Sequence, residues 1–264
     1  MRAVQPVVVR SQVRPDGVGV LTLARPDRLN AISTEVVAAM AQVISGFAGN
    51  PAVRSIAVAG EGKVFCAGAD IAEFSQLEGP VEFGRFIGRL TAALDGLASC
   101  PKPSVAALHG VALGGGLELA LACDMRVAEA GTRLGVPEIK LGLLPGAAGT
   151  VRLPRLVPAP VARRMLLTGE PILAEEAQGY GLLADVVPAG GAFAAAVALA
   201  SRLAELPPLA LAAAKRLLSA GPTLPEPAAV ELERQTVSML FASDDRAEGV
   251  AAFLEKRAPS FRGR

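Results

Sequence analysis

The chain carries two kinds of hydrophobic periodicity, and they separate its elements. Short apolar runs with the two-residue repeat of a strand occur at 7–10 and 18–24. The turn residues Pro15-Asp16-Gly17 join them. Apolar residues then recur at helical spacing: Val36, Met40, Val43/Ile44 and Phe47, with Ser33 placed to cap the N-terminus. A continuous apolar run at 55–59 reads as a buried strand. A second helical stripe follows through Phe83, Phe86/Ile87, Leu90, Leu94 and Leu97. Next come a strand at 104–108, a glycine turn, a helix over 116–122 and a strand near 126–128.

Strands alternating with helices predict an α/β fold with parallel strands. After 184–187 the pattern changes. Pro188-Ala189-Gly190-Gly191 breaks the chain, and beyond it only helical patterns remain, at 192–206, 209–218, 228–241 and 246–256. A boundary near residue 190 therefore divides a core, 1–190, from a helical segment, 191–264.

Composition removes several function classes. The 264 residues suffice for one large domain, and 52% hydrophobic residues can fill its core. Lys and Arg number 26 against 25 Asp and Glu, so no basic field marks a nucleic-acid or membrane-surface partner. Residues 1–10 contain no apolar segment of the kind a secretory signal needs. The most membrane-like window, 104–123, holds His109, Glu118 and four glycines, so a soluble protein is expected. Three cysteines, Cys66, Cys100 and Cys123, are too few and too odd for a disulfide framework, and predict reduced thiols in a cytoplasmic setting. A single histidine, His109, rules out two-His metal motifs and leaves a serine triad only one candidate base, with no G-x-S-x-G elbow to serve it. No dinucleotide or P-loop fingerprint occurs, and no C-x-x-C pair. No metal is expected.

The positive signals are carboxylates and glycines in apolar surroundings. Gly114-Gly115-Gly116 precedes a helix, where exposed N–H groups and the helix dipole suit a developing oxyanion; a tight packing turn would look the same. Glu118 lies in that helix among leucines and alanines, where an unpaired carboxylate is costly, unless it is the helix's one solvated position. Val64-Phe65-Cys66-Ala67-Gly68-Ala69-Asp70-Ile71 is another loop of small residues after a strand, with Asp70 read as a helix N-cap. Glu138, in Pro137-Glu138-Ile139, is a second carboxylate in an apolar stretch.

Together, Arg25-Pro26, Leu29-Asn30-Ala31, Phe65–Ile71, His109–Asp124, Pro137–Thr150, Glu248-Gly249 and Phe253–Arg257 resemble the enoyl-CoA hydratase/isomerase (crotonase) family in order and spacing. The resemblance implies a crotonase-like spiral of β-β-α turns with a C-terminal helical segment that makes homotrimers, commonly paired into homohexamers. It implies a trans-2-enoyl-CoA as substrate, with coenzyme A part of that substrate and no separate cofactor. It assigns the oxyanion hole to the N–H groups of Ala69 and Gly115, water activation to Glu118, and proton exchange at the α-carbon to Glu138. Both glutamates being present favours hydratase over isomerase or another acyl-CoA lyase. Ala67, Asp70 and Ile71 fall in the substrate-binding loop. Where many members carry a lysine near CoA, this chain has Ala72, so Arg25, Arg28 and Lys256 become the candidates for the CoA phosphates. Ala148 stands where the family often has glycine, and His109 where many relatives have asparagine; His109 is read as structural.

Overall fold

A computed structural model describes residues 7–264; residues 1–6, the start of the stretch read as free of a signal segment, lie outside the described residues. Strands β1 (Val9–Val13) and β2 (Val18–Leu23) form an antiparallel hairpin, so the first strand sits slightly later than its apolar residues predict. Strands β3 (Ser55–Gly60), β4 (Ser104–Leu108), β6 (Met125–Glu129) and β9 (Asp185–Val187) extend it in parallel, in the order β1-β2-β3-β4-β6-β9. A second sheet, β5-β7-β8, is built from β5 (Val111–Leu113), β7 (Arg133–Gly135) and β8 (Ile172–Leu173). The chain alternates between them. β4 leads to β5 and then helix α4 (Gly115–Ala122); β6 leads to β7 and then to α5 (Gly149–Leu156) and α6 (Ala159–Thr168). That repetition is the spiral of β-β-α turns.

Strands β2, β3 and β4 are covered on both faces, which is why they read as continuous apolar runs, whereas β1 at the sheet edge is largely exposed. Leu21, Leu23, Ile56, Val58, Ala106 and Leu108 enter the main core, with α1 (Thr34–Gly49), α3 (Gly79–Ala98) and α4. Their sequence neighbours Val20, Ala57, Ala59, Val105 and Ala107 face the other way, onto α8 (Ala192–Ala204). There Ala192, Ala196 and Ala200 meet Ala57, Ala59 and Ala107, and the small side chains allow close approach. Ser55 donates its hydroxyl to the Ala200 carbonyl at 2.7 Å.

Helix α8, the first element after residue 190, thus packs against the sheet of the core. Helices α9 (Pro208–Ala220), α10 (Glu226–Leu240) and α11 (Asp244–Glu255) bury almost nothing of their own, and leave Leu218, Val237, Met239, Phe241, Phe253 and Leu254 exposed. Among the described residues no single helix is long and apolar enough to cross a bilayer. The window at 104–123 is β4, β5 and α4, folded into the core.

Candidate active site

The site forms where two glycine loops abut. Residues 65–69 run alongside β5: Phe65 N–H donates to the His109 carbonyl, Cys66 N–H to Val111, and Leu113 N–H to Cys66. The loop ends at Gly68, whose φ of +108° only glycine adopts readily, and a side chain there would meet the Leu113 carbonyl at 3.0 Å. Gly114, at φ +52°, sits against it. Two amides are left facing one region. Ala69 N–H has no acceptor among the described residues, and Gly115 N–H, first in α4, has none within its helix. A methyl built on Gly115 would lie 3.8 Å from the Ala69 nitrogen, so the amides are close neighbours. The dipole of α4 adds positive potential there. An oxygen gaining negative charge is the ligand such a pair fits.

Glu118 is one turn into α4 and only 2% exposed. Its Oε1 accepts the N–H groups of Ala147 and Gly149, at 2.7 and 2.8 Å. Its Oε2 takes no hydrogen bond from the described residues. Burial pushes this carboxyl up; the two amides and the Arg152 charge pull it down, and burial prevails.

Glu138 stands in a short 3-10 turn, Pro137–Leu141, that follows β7. Because β7 pairs with β5, this turn is brought to the same end of the sheet as Gly114. A methyl on Gly114 would come within 2.8 Å of Glu138 Oε1, so glycine there gives the carboxylate its room. Glu138 Oε2 is buried without a hydrogen-bond partner among the described residues. Burial, with the nearby Glu118 charge adding to it, pushes Glu138 up to about 7. The two carboxyls thus differ in their hydrogen bonding: Glu118 is held by two amides and Glu138 has an orphan oxygen, while burial pushes both up, Glu138 to about 7.

The fold brings Glu118, Glu138, Ala69 and Gly115 together. Ala67 lies in the same loop, half-buried, and Ile71 is exposed just beyond it. Arg25, one of the candidates for the CoA phosphates, is engaged within the loop. Its guanidinium donates to the Ala31 carbonyl at 2.7 Å and to Asp70 at 3.0 Å, and so is used to hold the loop. Asp70 takes the N-cap position of helix α2 (Ile71–Phe74), but its side chain makes no capping hydrogen bond and pairs with Arg25. Partial burial would raise its pKa, yet the pairing with Arg25 opposes burial and it lies below the usual carboxylate range. Arg28 is exposed at the end of a 3-10 turn, and Lys256 is exposed at the C-terminal cap of α11. His109 lies with Nε2 at 3.2 Å from the Gly62 carbonyl, in line with its structural reading. All three cysteines are free and buried, and burial pushes the Cys66 and Cys123 thiols up to about 12.

Two contributors were given no role from the sequence, although both lie in segments that carry the resemblance. One is the Ala147–Gly149 amide cradle, which no side-chain pattern announces. The other is Asn30, buried at φ +56°; its side-chain NH2 faces the Glu61, Val64 and Phe65 carbonyls, and its Oδ1 accepts from Arg25 N–H. It fixes the loop that presents Ala69.

Known proteins share this arrangement's sequence and fold. The enoyl-CoA hydratase/isomerase family model matches residues 14–264. The chain is 40% identical to a "Probable enoyl-CoA hydratase" of Bacillus subtilis, covering 93% of this chain and 95% of that one. It is 39% identical to the 2,3-dehydroadipyl-CoA hydratase of Escherichia coli, covering 95% and 97%. The enoyl-CoA hydratase structure from Bacillus anthracis superposes with a TM-score of 0.93 at 32% identity, covering 97% of this chain and all (100%) of that one.

Proposed function

Within the enoyl-CoA hydratase/isomerase family, to which this chain belongs, we propose that Glu118 and Glu138 divide the hydration of a trans-2-enoyl-CoA between them. The enzyme is an enoyl-CoA hydratase: water adds across the double bond to give a 3-hydroxyacyl-CoA. The unequal environment of the two carboxyls carries the division of labour.

Glu118, held by two amides, is the ionised partner. Its free Oε2 accepts a proton from water as the water oxygen bonds to the β-carbon. The electron pair of the double bond moves through the α-carbon to the thioester oxygen. The N–H groups of Ala69 and Gly115 stabilise that enolate, a task typically worth a few kcal/mol per donor. Glu138 gives its proton to the α-carbon, and the thioester carbonyl re-forms. Proton return from Glu118 to Glu138 resets the site. No further cofactor enters this scheme.

Arg28 and Lys256 are proposed as contacts for the CoA phosphates, with Ala67, Asp70 and Ile71 along the thioester. The exposed apolar residues of α9, α10 and α11 support assembly into a homotrimer or a homohexamer. The free cysteines suit a cytoplasmic setting.

The test is crotonyl-CoA consumption, followed by loss of the conjugated-thioester absorbance with product identification. Wild type should form 3-hydroxybutyryl-CoA, and Glu118→Gln and Glu138→Gln should each lose about 100-fold or more. A shifted double bond in place of a hydroxyl would replace hydration by isomerisation.

A further inference from the structure

We propose that Arg152, oriented by Asp95 on α3, is a positioning residue that holds the amide cradle under Glu118 and keeps that carboxylate in its working state. The proposal rests on Glu118 being the base of the hydration.

The cradle is anchored from behind. Glu118 receives N–H groups from two peptide units, 146–147 and 148–149. Each unit is also held by its carbonyl. The Gly146 carbonyl accepts from the Thr91 hydroxyl at 3.4 Å, and the Ala148 carbonyl accepts from the Arg152 N–H at 2.8 Å. Between them, the Ala147 carbonyl accepts from the Arg152 guanidinium at 3.4 Å. The same guanidinium forms a 2.6 Å ion pair with Asp95. A peptide unit bonded at its carbonyl is a more polar N–H donor, so the contacts to the Gly146 and Ala148 carbonyls strengthen the two donors, while the Arg152 guanidinium fixes the peptide unit between them.

The anchors on α3 share one face. Thr91 and Asp95 are four residues apart, and Ile87, four residues earlier, packs on Gly146, where a methyl would meet it at 3.0 Å. Helix α3 therefore braces the loop 146–148 along two turns. Arg152 is mostly buried, while Asp95 is 60% exposed, so the pair links the interior base to the surface.

The charges facing Glu118 are few. Arg152 comes from α5 and Glu138 from the turn after β7; Asp95 stands behind Arg152 on α3, whose other charged residues Glu82, Arg85 and Arg89 are exposed, and β5 carries none. Among the described residues Arg152 is thus the one cation acting on Glu118, and it favours the ionised form.

The experiment is the pH profile of kcat/KM, with kcat and KM separately, for wild type, Arg152→Gln, Arg152→Lys, Asp95→Asn and Glu118→Gln. In Arg152→Gln the acidic limb, set by Glu118, should move up by at least about half a pH unit, with kcat down about tenfold and KM nearly unchanged. Arg152→Lys should restore the limb. Asp95→Asn, which frees the guanidinium from its orienting partner, should move it up by less than Arg152→Gln does, whereas loss of the Asp95 charge alone would move it down. A folded Arg152→Gln enzyme with the wild-type limb and kcat would overturn the proposal. Should that variant fail to fold, the surface substitution Asp95→Asn decides: an unmoved or lowered limb overturns the proposal. Full activity in Glu118→Gln would instead overturn the underlying assignment of the base.

Discussion

Gly149 gives its N–H to Glu118 Oε1 at 2.8 Å, while a methyl on Gly149 would lie 3.0 Å from the same oxygen and 2.6 Å from the Pro145 side chain. One residue thus supports the carboxylate through its backbone and makes room for it by having no side chain. Gly149→Ala should therefore shift Glu118 or its loop and lower kcat about 100-fold or more, with much less effect on overall folding. Activity assays beside circular dichroism would check this. Wild-type kcat in the variant would mean that the cradle geometry is not needed.

The two carboxyls predict the shape of the pH dependence. Hydration needs Glu118 ionised and Glu138 protonated, so kcat/KM should be bell-shaped, with its alkaline limb near 7 as Glu138 loses its proton. Stopped-flow hydration of crotonyl-CoA across the pH range would show it. A rate still rising well above that limb would exclude Glu138 as the proton donor.

The same shift has a stability consequence. Glu138 is raised from an ordinary 4.5 to about 7 in the folded protein, so below the lower value both folded and unfolded chains hold the proton and there is no penalty. Between the two values the unfolded chain releases its proton first, and folding is progressively disfavoured as pH rises. Glu138→Gln removes that cost. Its Tm should exceed wild type's by more at about pH 8 than at about pH 5, with a difference on the order of 1–3 kcal/mol. Equal differences at both pH values would contradict the burial account.

Ala148 occupies left-handed backbone, at φ +75°, between the two amides that hold Glu118. Left-handed geometry costs a non-glycine residue roughly 1–2 kcal/mol, and the extra freedom of glycine in the unfolded chain costs about 0.4–1 kcal/mol. Ala148→Gly should therefore stabilise by about 0.5 kcal/mol or more, seen as a higher urea midpoint. A lower midpoint would show that the Ala148 methyl contributes packing worth more than the strain.

How much of this could be read from the chain depended on whether a feature is local. Ser33 was legible as a cap because its hydroxyl needs only the Val36 N–H, 3.2 Å away, three residues on. Helices α1 and α3 declared themselves by spacing, and the buried strands by their length and flanking turns. Strands β5 and β7, three residues each, did not, since so short an element has no period to detect. The packing of α8 on the sheet was not legible, because an alanine-rich face gives little contrast and its partners are themselves alanines on β3 and β4. At the site, Glu118 and Glu138 stood out as charges in apolar runs. The Arg25–Asp70 pair and the contacts of Arg152 join residues 45 and 57 positions apart, or act through backbone carbonyls, which composition does not encode.

Strand β5 is only Val111–Leu113, yet the loop bearing Ala69 is bonded to one edge of it, β7 with Glu138 beyond to the other, and α4 with Gly115 and Glu118 follows it in sequence. All four functional groups are therefore measured from a single three-residue datum. The region of the chain least free to change is thus a stretch with no chemistry of its own.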